Sequence, residues 1–454
     1  MLQHRPAQEL SFGPRALKDA LLSQDVALQR LYATAFSPAE RLFLAEAYNP
    51  RRMLFGTPLV HSGFNCQSLP EAPEDFKTFH AALGQRRPGL ARSHIYLQPI
   101  GLGEGSAGCP LLDDLRRCAK AFFPGLQVRC LPPVAATSIR CASPGQDLAG
   151  PQLHTDGILV FLKISKPEDA LCVLGLTLAD LYPHESWRFT FSKFLPGHEV
   201  GVCSFARFSR EHLRVGPELV LAEAGGCWDG GPAPGFSALG LVCCKVACHE
   251  LCHLLGLGNC RWLRCLMQGA LSLDEALRRP LDLCPTCLRK LQHILGFRLL
   301  DRYKRLHAWT WAVAESWPGQ EASVPSTDGV CCESDSEPAS SPSAPTPDVL
   351  SHLFGPEDRP SCLAAVEAVP QPGGPEEKVQ QHWRWLAACI QALEQEVAEE
   401  ELAKVDLAVD ALQRWDLFTG QLPAARQGPP SGRHSGLRKT LGNKFSSMRW
   451  RLST

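Results

Sequence analysis

Apolar residues recur along this chain in three regimes, and each predicts a different kind of element. In residues 1–90 they return at every third or fourth position, over Ala16 to Tyr32 and Pro38 to Tyr48, which predicts a mostly helical N-terminal extension. Across 91–315, short apolar runs at His94 to Pro99, Gln127 to Leu131, Leu171 to Thr177 and Val200 to Phe208 stand between Gly- and Pro-rich segments and predict strands. With the helical stretches between them they indicate a mixed α/β domain. Ser237 to Leu255 is apolar almost all the way round, so the helix it predicts must be buried, although it carries Lys245 and the polar group His249, Glu250 and His253.

Past Glu315 the pattern dissolves. Trp317 to Asp348 is dominated by Ser, Pro, Gly and acids, so 316–375 is expected to be a disordered linker, with an acidic serine cluster at Glu333 to Glu337 suited to phosphorylation. Helical periodicity returns over 376–418, with Trp385, Cys389, Ala392 and Leu393 on one side of an acidic surface. Trp383, Trp385 and Trp415 equip that segment to dock, either on the central domain or on a partner protein. Residues 419–454 read as a basic flexible tail.

Composition narrows the classes. The chain has 454 residues, 44% of them hydrophobic, which is enough to bury a core. Its 46 basic and 47 acidic residues leave no global charge to attract nucleic acid. The longest apolar runs, such as Ile158 to Leu162 and Ala238 to Cys244, fall short of the roughly 20 residues that span a bilayer. Met1 to Phe12 offers no apolar segment with a cleavage site, so secretion is not expected. Twenty cysteines then read as buried thiols and metal ligands in a reducing cytoplasmic or nuclear setting.

The chemistry concentrates between His249 and Cys287. In His249-Glu250-Leu-Cys-His253 two imidazoles sit one helical turn apart, where both can bind one ion, and Glu250 stands beside the open coordination position. A buried helix should not carry that carboxylate uncompensated, and a metal compensates it directly. Zinc so held acidifies water and polarises a carbonyl, while Glu250 accepts the water proton as general base, a set suited to hydrolysing peptide bonds. Gly256 can end the helix in a left-handed conformation and return residue 259 toward the metal. Cys260, Cys265, Cys284 and Cys287, at spacings of five, nineteen and three, can close a second, tetrahedral zinc site. Four free thiols are the alternative, whereas a redox Cys-x-x-Cys lacks its thioredoxin-like context. Cys243, Cys244, Cys248 and Cys252 read as core residues of the helix.

The string His249-Glu250-x-x-His253-x-x-Gly256-x-x resembles the metzincin signature, and with Cys260, Cys265, Met267, Cys284 and Cys287 the stretch Arg92 to Leu300 resembles the archaemetzincins. The resemblance implies a metzincin-like mixed twisted sheet with a buried active-site helix and a small zinc-bound C-terminal subdomain. It also implies a catalytic zinc on His249 and His253, a structural zinc on the four cysteines, a Met-turn at Met267, and aminopeptidase-like action on peptides or small proteins. The chain departs from the signature at Asn259, where the third histidine belongs. Asn259 binds through its oxygen, or a second water completes the shell, or another side chain such as His293 reaches in. Hydrolysis by a zinc metallopeptidase is the expected function; a weakly active or inactive scaffold that binds peptides or partner proteins is the alternative.

Overall fold

The apolar runs of the central region lie side by side in one sheet. The structure is a computed structural model that describes residues 13–49, 54–55, 73–83, 92–102, 108–139, 146–147, 150–184, 189–208, 238–270, 273–315 and 375–419. Its strands are β1 (His94–Pro99), β2 (Gln127–Cys130), β3 (Gln146–Asp147), β4 (Gly150–His154), β5 (Ala170–Thr177), β6 (Asp180–Tyr182), β7 (Ser192–Leu195) and β8 (Val200–Ser204). A five-stranded sheet runs β2-β1-β5-β8-β7, parallel except for β7, which pairs antiparallel with β8 at the edge. β3, β4 and β6 form a smaller sheet. β5 is buried along its whole length because helices cover both faces of the sheet, its alternate residues entering two apolar clusters, which is why it reads as an unbroken apolar run.

The helices are α1 (Pro14–Leu22), α2 (Val26–Ala35), α3 (Pro38–Ala45), α4 (Phe76–Leu83), α5 (Gly108–Phe122), α6 (Thr155–Ser165), α7 (Ala238–Leu254), α8 (Leu273–Arg278), α9 (Pro285–Leu295), α10 (Leu299–Glu315), α11 (Pro375–Glu394) and α12 (Glu399–Thr419). α7 carries the predicted site and is buried as its composition requires, packed between the sheet and α5. Gly201 of β8 permits the contact, since a Cβ there would lie 3.2 Å from Leu254 of α7.

Three boundaries differ from the pattern. Ala16 to Tyr32 is interrupted at Ser23, whose φ is 66°, because Asp25 caps a new helix by accepting from the amides of Ala27 and Leu28. The strand expected to reach Phe208 stops at Ser204, whose hydroxyl accepts from the amide of Ala206 and starts a turn. The helical segment expected over 376–418 is divided into two helices.

These terminal helices lie on the same core as the sheet. Val379, Leu386, Cys389 and Leu393 of α11 are buried. Trp385 packs edge-on to Tyr303 of α10, with ring centroids 5.8 Å apart, while Trp383 stacks on His307 at 5.1 Å. The side chain of Trp415 lies outside what is described. α12 is pinned to α1 by Arg15–Asp410 at 2.8 Å and Lys18–Asp406 at 3.0 Å. Among the described residues no helix is long and apolar enough to cross a membrane. The serine cluster at 333–337, nearly all of the expected linker and the basic tail lie outside the described residues.

Candidate metal centre

The geometry at His249 and His253 follows from how α7 ends. Gly256 adopts φ 101°, its N–H reaches the carbonyl of His253 at 2.9 Å, and the N–H of Leu257 reaches the carbonyl of Cys252 at 3.0 Å. That is a Schellman termination, with glycine at the one position where a Cβ is unfavourable. The turn aims the Leu257 carbonyl at Nδ1 of His253, 2.7 Å away. Nδ1 of His249 meets the carbonyl of Leu266 at 2.8 Å.

A carbonyl can only accept, so each ring carries its proton on Nδ1 and a lone pair on Nε2. The two Nε2 atoms nonetheless stand 3.0 Å apart. Two lone pairs do not bond to one another; they fit a shared cation, since donors about 2.05 Å from zinc in a tetrahedral shell are about 3.3 Å apart. Burial also favours the neutral, ligating form of both rings: it pushes His249 well below the usual histidine range and His253 down to about 4.

Glu250 is buried, and burial raises its carboxyl to about 7 against the opposing hydrogen bond of Ser192 and the charge of Arg279. The Ser192 hydroxyl donates to Oε1 at 2.7 Å. Ser192 and Phe194 share one face of β7 by strand alternation, and Phe194 stacks on the His253 ring at 5.5 Å with 14° between planes. The edge strand therefore fixes both the carboxylate and one imidazole. The exposed Asn259 lies beside the same ring and weakly opposes the effect of burial on His253. His293 packs instead with His80 and Phe76, at centroid distances of 5.0 and 5.5 Å.

The four cysteines converge. Their sulfurs all lie within 4.8 Å of one another, and Cys260 and Cys284 are 3.5 Å apart. A disulfide would need about 2.05 Å, whereas sulfurs about 2.3 Å from a tetrahedral zinc would be about 3.8 Å apart. The amides of Met267 and Cys284 donate to Cys265 at 3.4 and 3.2 Å, as they would to a thiolate. Without an ion, hydrogen bonds from Cys265, Cys284 and Cys287 hold the Cys260 thiol well below its ordinary range, burial raises Cys265, and Cys260 together with burial raises Cys287. That uneven sharing of protons is what a divalent cation would replace. Burial alone disfavours the charge of Lys290, but Cys287 and Glu74 outweigh it and raise its pKa, and its ammonium bonds Glu74 at 2.7 Å. Met267 is fully buried, and its carbonyl accepts from Cys260 at 2.7 Å, joining the two predicted sites. Cys248 turns away toward Cys118 of α5, with sulfurs 3.8 Å apart.

Ser192, Phe194, Lys290 and Arg279 escape a reading of the sequence, because no spacing ties them to α7. The short alternation in Ser192-Lys-Phe194 is the one signal that could have placed an edge strand there.

No family model matches the sequence. Archaemetzincin-1 of Homo sapiens is 67% identical over 481 aligned positions, covering 100% of this chain and 96% of the human protein. Archaemetzincin-2 of Rattus norvegicus is 39% identical over 315 positions, covering 66% of this chain and 87% of the rat protein. The crystal structure of an archaemetzincin from Methanopyrus kandleri matches at 23% identity and a TM-score of 0.33, covering 46% of this chain and 99% of that one.

Proposed function

The chain belongs to the archaemetzincin family, and on that premise we propose that it is a zinc-dependent metallopeptidase in which His249 and His253 hold the catalytic ion and Glu250 is the general base. The observation that carries this reading is the pair of unprotonated Nε2 atoms 3.0 Å apart beside a buried carboxylate. Zinc bound there supplies the Lewis acidity that makes water a nucleophile near neutral pH and polarises the scissile carbonyl. The residues supply the rest. Ser192 holds Oε1 of Glu250, leaving Oε2 to take the proton of the attacking water and then pass it to the departing amine. The Leu266 and Leu257 carbonyls keep both imidazoles in the ligating tautomer. Phe194 keeps the His253 ring from rotating away.

Cys260, Cys265, Cys284 and Cys287 hold a second, structural zinc, with Lys290 offsetting its thiolate charge. Asn259 completes the catalytic shell through its amide oxygen. Family resemblance favours short peptides and removal of N-terminal residues. One observation favours the second reading, a scaffold that binds peptides without cutting them: Asn259 offers a weaker donor than imidazole.

The test is Glu250→Gln in zinc-loaded protein. Zinc content should stay at two per chain while peptide hydrolysis falls at least about 100-fold, chiefly in turnover, because an amide cannot take the proton. Activity within about threefold of the parent would assign the base elsewhere.

A further inference from the structure

We propose that Arg279 binds a carboxylate in the active site, so that the preferred substrates are peptides presenting a carboxylate, at a C-terminus or in an acidic side chain, beside the scissile bond. This rests on the hydrolytic reading above for its function but not for its geometry.

Arg279 follows α8 directly and precedes Pro280, in a segment tied at both ends to the elements that carry the histidines. On one side the Leu277 carbonyl accepts from Nζ of Lys245 on α7 at 3.4 Å. On the other the Asp282 carbonyl accepts from the amide of Leu266, whose own carbonyl fixes His249. The side chain so delivered is 8% exposed, and its Nε has no hydrogen-bond partner. Among the described residues no carboxylate is in ion-pair contact with it: Glu250 is bonded to Ser192, and Glu275 acts on Arg279 only through its field. The charge nonetheless lies near enough to the centre to act on His249, Glu250 and His253.

A buried guanidinium without an anion is strongly unfavourable, and the two other buried arginines nearby show the usual remedy. Arg302 pairs with Asp282 at 3.0 Å, and Arg289 lies 3.6 Å over the Phe76 ring while donating to the Leu28 carbonyl. Among the described residues Arg279 has neither device. Its planar fork matches a carboxylate with two parallel hydrogen bonds, and the anion that no described residue supplies would arrive with the ligand.

The experiment measures equilibrium binding of three small probes to zinc-loaded protein: N-acetylglycine, N-acetylglycinamide, and N-acetylaspartyl amide, whose only carboxylate is in the side chain. The parent should bind at least one acid about tenfold or more tightly than the glycinamide, and Arg279→Gln should reduce that ratio to within about twofold. Which acid is preferred separates a C-terminal from a side-chain source. Preference retained in Arg279→Gln would overturn the proposal, by placing the carboxylate on the metal. Should Arg279→Gln not fold, the parent and Arg279→Lys decide. A parent ratio within about twofold overturns the proposal, as does an unchanged ratio in Arg279→Lys, while a high parent ratio that falls at least about threefold in Arg279→Lys supports it. Binding is read without turnover, so a parent that hydrolyses no peptide would defeat the hydrolytic function and leave the carboxylate site intact.

Discussion

Asn259 places an amide where imidazole is the better zinc donor, and its side chain already reaches His253 and lies against Gly269, where a Cβ would be 3.7 Å from the amide carbon. Asn259→His should therefore keep zinc at chelator concentrations that strip the parent, and hydrolysis should rise or resist mild chelation. Equal zinc loss in both proteins would show that residue 259 does not face the ion. Glu250 gives a second, metal-free test. Its pKa is raised in the fold from 4.5 to about 7 by burial, so its contribution to stability is whole below about pH 4.5 and is lost as pH rises through about 7. In zinc-free protein, Glu250→Gln should match the parent near pH 4.5 and exceed it at pH 8 by about 3 kcal/mol, measured by denaturant unfolding. His253, lowered to about 4 mainly by burial, acts oppositely: its stabilisation is present above about pH 6.5 and lost on acidification through about 4.

The element on which most depends is the turn closing α7. A Cβ at Gly256 has room, its nearest neighbour being Leu83 at 3.6 Å, so Gly256→Ala is penalised by its φ of 101° and not by a clash. The expected cost is about 1–3 kcal/mol, read as a lower Tm, together with weaker zinc binding as the Leu257 carbonyl leaves His253. A variant with unchanged Tm and zinc affinity would show that the turn does not set the ring. The segment between Cys260 and Cys287 hangs on its ion in the same way. Cys284→Ser with Cys287→Ser should lose the tighter of two zincs and unfold the stretch after α7, because two ligands cannot close the shell. Full zinc content and unchanged thermal stability in that double variant would remove the second site.

Over the whole molecule, helices from both ends of the chain brace the centre. Glu74 receives Lys290 and accepts from the Trp262 indole through its carbonyl at 2.9 Å, tying the residues before α4 to the cysteine segment. α11 lies against α10 with Leu386 fully buried. Leu386→Ala should cost about 2–5 kcal/mol, whereas a helix reserved for another protein would lose almost nothing. Urea unfolding of the isolated chain distinguishes the two.

Local spacing determined a great deal. Two histidines four apart on a helix share a face, a glycine three residues on can reverse the chain, and strands buried on both sides must be continuously apolar; each depends on neighbours within a turn or a strand, so each is written in consecutive residues. The same locality left the break at Ser23 hidden, because Leu17, Leu21, Leu28 and Tyr32 keep a spacing of four, seven and four that an unbroken helix would also show. What supports the site obeys no such rule. Ser192 meets Glu250 across 58 residues, the β7 edge brings Phe194 to His253, and Lys245 and Leu266 hold the segment that carries Arg279 from either side. Those contacts are set by which strand ends at the sheet edge and which carbonyl a turn leaves exposed, and only the packed chain decides them.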